Sequence, residues 1–323
     1  MAVKQTIDYR LSTIDYGRIG VLMGGPSSER EISLKSGKAV LDALLELGLE
    51  AVAVDIRTDN IDENIRLLTY KKIDCVFIAL HGRFGEDGSI QEILEGLKIP
   101  YTGSGVLASR LAMDKASSRE IFKANGLDVP RYEALEKNSR PRSEDNMGFP
   151  LVIKPATGGS SIGLSIIDKK EQAPYAMQIA FSFDERIIVE EYIRGRELTV
   201  GILDEQALPI IELLPKKRFF DFEAKYQPGM TKYIVPAQLE EGLARSIKKD
   251  ALLAHRLLGC FGCSRVDMIL SPDNRPFVLE VNTIPGLTAT SLLPKAARAQ
   301  GIGFAQLCLQ LLGLAYKNAK TAF

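Results

Sequence analysis

Two stretches near the carboxyl end carry the densest set of chemically useful side chains, Arg265-Val-Asp-Met-Ile-Leu270 and Phe277-Val-Leu-Glu-Val-Asn282. Both alternate apolar and polar residues, and the turn formers Ser-Pro-Asp-Asn-Arg-Pro join them, so they read as a hairpin. Folded symmetrically about Asp273-Asn274, it sets Asp267 opposite Glu280 and Arg265 opposite Asn282. A period of two brings these four to one face and leaves Val266, Met268, Leu270, Phe277, Leu279 and Val281 to fill the other. Two carboxylates and an amide oxygen over an apolar floor suit oxygen ligation of Mg²⁺, which also relieves the repulsion between the acids. Ordinary cross-strand polar pairs on a half-exposed face fit the same pattern.

A second candidate is Lys154-Pro-Ala-Thr-Gly-Gly-Ser-Ser-Ile-Gly163, directly after the apolar run Leu151-Val-Ile153. Backbone N–H groups of a Gly/Ser loop behind a strand can wrap a phosphate, and Lys154 adds a point charge. A flexible turn has the same composition, and the Gly-Lys-Ser/Thr ending of a Walker loop is missing. Gly103-Ser-Gly105-Val-Leu-Ala108 fits a relaxed dinucleotide fingerprint. The acidic residue that should end a second strand about 20 positions later falls instead in Lys123-Ala-Asn-Gly-Leu-Asp128, a helix end and turn, which argues against a nicotinamide or flavin site. His81 opens the loop His81-Gly-Arg-Phe-Gly-Glu-Asp-Gly88 after a strand, where either a ligand contact or a structural histidine is expected.

The elements that must position these groups fall into three parts. Apolar runs at Arg18 to Met23, Ala51 to Asp55 and Asp74 to Leu80 alternate with helical patterns at Ser33 to Leu47 and near 61 to 71. Such alternation makes a parallel sheet, so residues 18–103 form an α/β unit behind an extension, 1–17. Residues 104–190 hold a helix over Val106 to Asn125 and strands at 150–155, 164–167 and 186–191. Residues 191–323 alternate strands with long polar loops and end in a Leu/Ala-rich helix. A length of 323 residues suits two domains, or three small ones. Forty-one basic against 41 acidic residues leave no excess charge for nucleic acid. No apolar stretch is long enough to span a membrane, and residues 1–17 lack the apolar core of a secretory signal. Four cysteines and two histidines are too few for a zinc-type centre with a spaced second pair. Cys260 and Cys263 are expected to pack as buried thiols in a reducing compartment, most simply the cytoplasm.

Six segments resemble the D-alanine–D-alanine ligase family, in that family's order, from residue 18 to about 310. They are Val21 to Ser33, Ala79 to Gly88, Tyr101 to Gly105, Met113-Asp-Lys115, Lys154 to Gly163 and Leu279 to Gly286. The resemblance implies an N-terminal parallel-sheet α/β domain followed by a two-subdomain ATP-grasp fold of α+β type. It implies ATP-dependent joining of two D-alanines through an acyl phosphate, for peptidoglycan precursor synthesis. A related ligase with D-lactate or D-serine as second substrate is the alternative. Under the resemblance, Lys115, Lys154 and Ser161 hold phosphates, and Asp267, Glu280 and Asn282 hold two Mg²⁺ ions, with Mn²⁺ as a substitute. Glu190 and the main chain near Tyr192 read adenine, and Glu197 the ribose. Glu29 binds the first ammonium in a network with Ser160 and Tyr226, while Arg265 and the Gly286 N–H stabilise the acyl phosphate and oxyanion. His81, Lys225, Ser291 and Leu292 meet substrate, and Arg218 to Tyr233 resembles the family's lid. A cytoplasmic homodimer is implied as well. Thr157-Gly158 stands where some members carry a basic-acidic pair, and Cys263 where a bulkier residue is frequent.

Overall fold

The computed structural model describes residues 14–137, 147–159, 161–216 and 229–322. Strand β1 (Ile19–Gly24) is buried along its whole length, as a central strand covered on both faces must be. It pairs in parallel with β2 (Ala51–Ile56) and β3 (Cys75–Ile78), giving the order β2-β1-β3. Helices α1 (Arg30–Glu46) and α2 (Ile61–Tyr70) make the crossovers, and α3 (Ser89–Gly96) follows β3. The loops that leave the carboxyl ends of β1 and β3 carry Glu29 and His81.

One long helix was expected over Val106 to Asn125; the structure breaks it into α4 (Val106–Met113) and α5 (Lys115–Ala124). Asp114 is the cause. Its backbone is extended and its carboxylate accepts the N–H groups of Ala116 and Ser117, an N-cap that starts a new helix at Lys115.

A four-stranded antiparallel sheet follows in the order β4-β7-β5-β6, from β4 (Tyr132–Glu136), β5 (Leu151–Pro155), β6 (Ser165–Ile167) and β7 (Arg186–Glu191). Helix α6 (Ala173–Phe181) covers one face, packing Ala173, Ala176 and Ala180 on Leu151, Ile153 and Val189.

The third sheet contains β8 (Arg196–Leu203), β9 (Gln206–Ala207), β10 (Ile211–Pro215), β11 (Thr231–Ile234), β12 (Cys263–Leu270) and β13 (Pro276–Asn282). Its path is β11-β10-β8-β12-β13, with β9 beside β8. One face packs against α7 (Glu241–Leu257), whose Ile247, Ala251 and Ala254 meet Val200, Val266 and Met268. That 17-residue helix lies where only strands and polar loops were expected. The carboxy-terminal part ends in two helices, α8 (Leu292–Ala299) and α9 (Phe304–Ala322), instead of one. Leu293, Leu307, Leu311 and Leu312 from these helices share a core with Val21 of β1 and Val40 and Leu44 of α1, so the last helices close the first sheet.

All four cysteines are free and buried, Cys260 and Cys263 among them as expected. Burial pushes each thiol up to about 12, which leaves them inert as nucleophiles. Among the described residues no helix is long and apolar enough to cross a membrane.

Candidate active site

The β12–β13 hairpin forms with the expected pairings, Asp267 opposite Glu280 and Arg265 opposite Asn282. Beyond Asp267 the register shifts: Met268 faces Val278, and Leu279 is left as an extra residue on β13. This bulge corrects the expected apolar floor. Val278 and Val281 join Val266, Met268 and Leu270 in the core. Leu279 turns to line the cleft, and Phe277 reaches the surface under the Arg275 guanidinium, 5.2 Å above its ring.

Asp267 is held from two sides. Arg265 donates from Nε at 2.9 Å and from Nη2 at 2.7 Å, and Thr199 donates its hydroxyl at 2.6 Å. The Lys115 ammonium stands 3.5 Å from Glu280. The opposed carboxylates therefore face a cleft with cations at hand, and Asn282 adds an amide oxygen that accepts the Ile284 N–H at 3.2 Å. Among the described residues no three His, Cys, Asp or Glu cluster around one point. An all-oxygen set of two carboxylates and one amide fits a hard cation such as Mg²⁺, which keeps several waters and takes few protein ligands.

A cleft of about 940 Å³ runs between the second and third sheets and reaches the loops of the first. Lys154, on β5, is 7% exposed, and its ammonium lies 2.8 Å from the Glu190 carboxylate on β7. Burial lowers the lysine to about 8, against the opposing pull of Glu190. Burial alone would raise Glu190; Arg119 and Lys154 together outweigh it and hold the carboxyl below its usual range. Arg119 escaped the sequence reading. It is fully buried on α5, pairs with the second Glu190 oxygen and lies 5.4 Å from the Tyr132 ring centroid. The signal was its spacing, one helical turn after Lys115 on the same face.

Lys115 also donates to the Gly158 carbonyl, which ties its helix to the Gly/Ser loop. Ser161, Tyr192 and Glu197 line the cleft as well, beside apolar walls from Val152, Ile166, Leu198 and Leu279. On the far side, Glu29 fills the gap between two loops. Gly82 has φ +73, and a Cβ there would come within 2.8 Å of the Glu29 Oε2, so glycine is what admits this approach, while Gly159 lies on the other side of the carboxylate at ordinary contact distance.

His81 is placed behind this wall. It is 4% exposed, with Nε2 2.9 Å from the Ser36 hydroxyl and Nδ1 3.6 Å from Glu86. Ser36 in turn accepts the Leu287 N–H at 3.4 Å, next to Gly286. Burial raises Glu86, and the His81 hydrogen bond works against that rise. Ser291 starts α8 as its N-cap, immediately before Leu292, and its hydroxyl accepts the Thr288 N–H at 3.1 Å. Ser160, Lys225 and Tyr226 lie outside the described residues, as do residues 217–228 of the lid segment.

Residues 121–313 match the family model described as D-ala D-ala ligase C-terminus, and residues 60–104 the one described as D-ala D-ala ligase N-terminus. The chain belongs to the D-ala D-ala ligase family. It is 48% identical over 299 residues to the D-alanine–D-alanine ligase of Geotalea uraniireducens, covering 92% of this chain and 95% of that one. The ligase of Pelotomaculum thermopropionicum is 47% identical over 313 residues, covering 93% and 97%. Among solved structures, a Bacillus anthracis D-alanine–D-alanine ligase complexed with ATP superposes with a TM-score of 0.84 at 34% identity, covering 95% and 99%. The VanG D-Ala:D-Ser ligase of Enterococcus faecalis superposes at 0.80 with 29% identity, covering 92% and 99%. The architecture is therefore the ATP-grasp arrangement of these D-alanine–D-alanine ligases, with the cleft between its two antiparallel sheets.

Proposed function

We propose that this cleft joins two D-alanine molecules with ATP, through an acyl phosphate, in peptidoglycan precursor synthesis. One observation carries the reading: Lys115 and Lys154 enter the same cleft as the paired Asp267 and Glu280. Cations for a triphosphate and oxygen ligands for its metal thus meet in one place. A carboxylate is a poor electrophile, and transfer of a phosphoryl group makes it a good one. Catalysis of that transfer is mostly positioning and charge stabilisation.

Lys115, Lys154 and Ser161 would hold the phosphates, the Glu190 and Tyr192 region the adenine, and Glu197 the ribose. Asp267, Glu280 and Asn282 would hold two Mg²⁺ ions, or Mn²⁺ in their place. Bound there, the metal would neutralise charge on the transferring phosphoryl group. Glu29 would take the first ammonium, supported by Ser160 and Tyr226. Arg265 and the Gly286 N–H would face the acyl phosphate and then the oxyanion formed by the second amine. Lys225, Ser291 and Leu292 would seat the second substrate. His81 would act from behind, through Ser36, on the loop that carries Gly286. The same reading takes residues 1–17 as an extension and 18–103, 104–190 and 191–323 as domains, in a cytoplasmic homodimer.

The test is phosphate release with D-alanine alone, then with D-alanine plus D-serine or D-lactate. Release with D-alanine alone, accompanied by the dipeptide in a mass spectrum, is the expected result. No release without D-serine or D-lactate would overturn the assignment in favour of a related ligase.

A further inference from the structure

We propose that Asp184 is a positioning residue for the phosphate loop, gripping it through Thr157; this rests on the cleft being a nucleotide site. Thr157 follows the strand that bears Lys154, and its two hydrogen-bond donors point the same way. The backbone N–H and the hydroxyl each donate to one oxygen of Asp184, both at 2.7 Å. The other oxygen accepts the Arg186 N–H at 3.2 Å. The Thr157 side chain is therefore spent on the protein, not on a ligand.

The neighbouring residue holds the far end of the loop. Gly163 has φ +75, and a Cβ there would come within 2.7 Å of the Phe183 ring. Phe183 and Asp184, adjacent in the chain, thus grip the loop at 157 and at 163. The grip continues to the second lysine. The Arg186 guanidinium pairs with Asp114, the residue that caps α5 just before Lys115. The Ala156 N–H donates to the Arg186 carbonyl at 2.9 Å, and the Lys115 N–H to the Ala156 carbonyl at 3.0 Å. One continuous set of hydrogen bonds joins the loop, the Lys154 strand and the Lys115 helix.

A carboxylate close behind an anion site repels the anion. Asp184 offsets that cost only if the order it imposes is worth more. A loop already held in its binding shape loses less freedom when the phosphates arrive.

The test uses Asp184→Ala, Thr157→Val, Thr157→Ser and the double variant Asp184→Ala/Thr157→Val in the full chain. Titration calorimetry with ATP and Mg²⁺, without D-alanine, reads the clamp whether or not the enzyme ligates. Removing hydrogen bonds to a charged group should weaken ATP about tenfold in Asp184→Ala and about threefold in Thr157→Val, which keeps the backbone contact. Thr157→Ser keeps both donors and should bind as the parent does. The double variant should be no weaker than Asp184→Ala, because both changes remove the same contact. In steady state the KM for ATP should rise while the KM for D-alanine stays put. Parent-like ATP affinity in both Asp184→Ala and Thr157→Val overturns the proposal, as does additivity in the double variant. If Asp184→Ala does not fold, the Thr157→Val and Thr157→Ser pair decides alone. Failure of the parent enzyme to use D-alanine would sink the proposed function and leave the calorimetric result standing.

Discussion

Replacing Glu190 by Gln should move the pH at which the enzyme stops capturing ATP. Lys154 attracts phosphate only as an ammonium, and in the free protein burial, aided by Arg119 and Lys115 and opposed by Glu190 and Glu280, brings it to about 8. The wild-type kcat/KM for ATP, which reports groups of the free enzyme, should therefore fall about tenfold per pH unit above that midpoint. Loss of an adjacent opposite charge moves a pKa by roughly 1–3 units, and here the shift is downward, because the carboxylate favours the charged lysine. With a shift of about 2, the variant's midpoint falls near pH ~6, and at about pH 7.5 its charged fraction drops from roughly three-quarters to roughly 3%. That is about a 25-fold loss in kcat/KM, recoverable by lowering the pH. Bound phosphates favour the ammonium, so the kcat limb should lie at higher pH in both proteins. The Gln amide oxygen can still accept from Arg119, and a thermal melt shows whether the fold is kept. Stopped-flow or steady-state kcat/KM across the range is the assay. A Glu190→Gln enzyme whose basic limb stays near that of the parent refutes the ion-pair account of Lys154.

Arg265→Ala should cut turnover on the order of 10²–10³-fold, the usual loss for one preorganised oxyanion donor, while calorimetric ATP affinity changes far less. Unchanged phosphate release would remove its assigned role. His255 is 1% exposed, hydrogen-bonded through Nδ1 to Ser264 at 2.7 Å, and lowered by burial from 6.5 to about 4. The unfolded chain binds a proton in that window and the native state does not, so stability should fall by up to about 3 kcal/mol as pH drops through it. Urea melts of the parent and of His255→Gln check this; equal pH slopes would contradict it. The four buried thiols should resist an aromatic disulfide reagent in the native state and all react in denaturant. Rapid native labelling of any one would show that its burial is transient.

The parts of this fold visible in the sequence are those whose signals are local. β1 and β3 announce themselves as apolar runs ended by glycine-bearing loops, and the hairpin by its period of two, which was enough to pair Asp267 with Glu280. The same period misled beyond Asp267, because one extra residue at Leu279 leaves no mark in composition. Helix α7 carried a readable stripe at Leu243, Ile247, Ala251, Ala254 and Leu258, but the charged residues between them masked it. The break at Asp114 hid for a different reason: apolar spacing continues through it, and only the capping geometry separates the two helices.

What could not be read are the pairings between residues far apart in the chain. Hydropathy cannot bury Arg119, because its burial is tolerable only with Glu190, 71 residues away. Thr157 looks like loop filler until Asp184, 27 residues on, takes both its donors. Ser36 reaches the loop beside Gly286 across 251 residues. In each case the residue with a recognisable chemical role was legible by type, and the residue that orients it was not. Lys154 with Glu190 and Arg119 is the sharpest instance: a lysine after an apolar run suggests a phosphate contact, yet its charge near neutral pH depends on a balance of burial and neighbouring cations against carboxylates, Glu190 foremost. Substitutions at such supporting positions should therefore change pH dependence and ATP affinity before they change the chemistry itself. That ordering separates them experimentally from Arg265, where turnover should fall first.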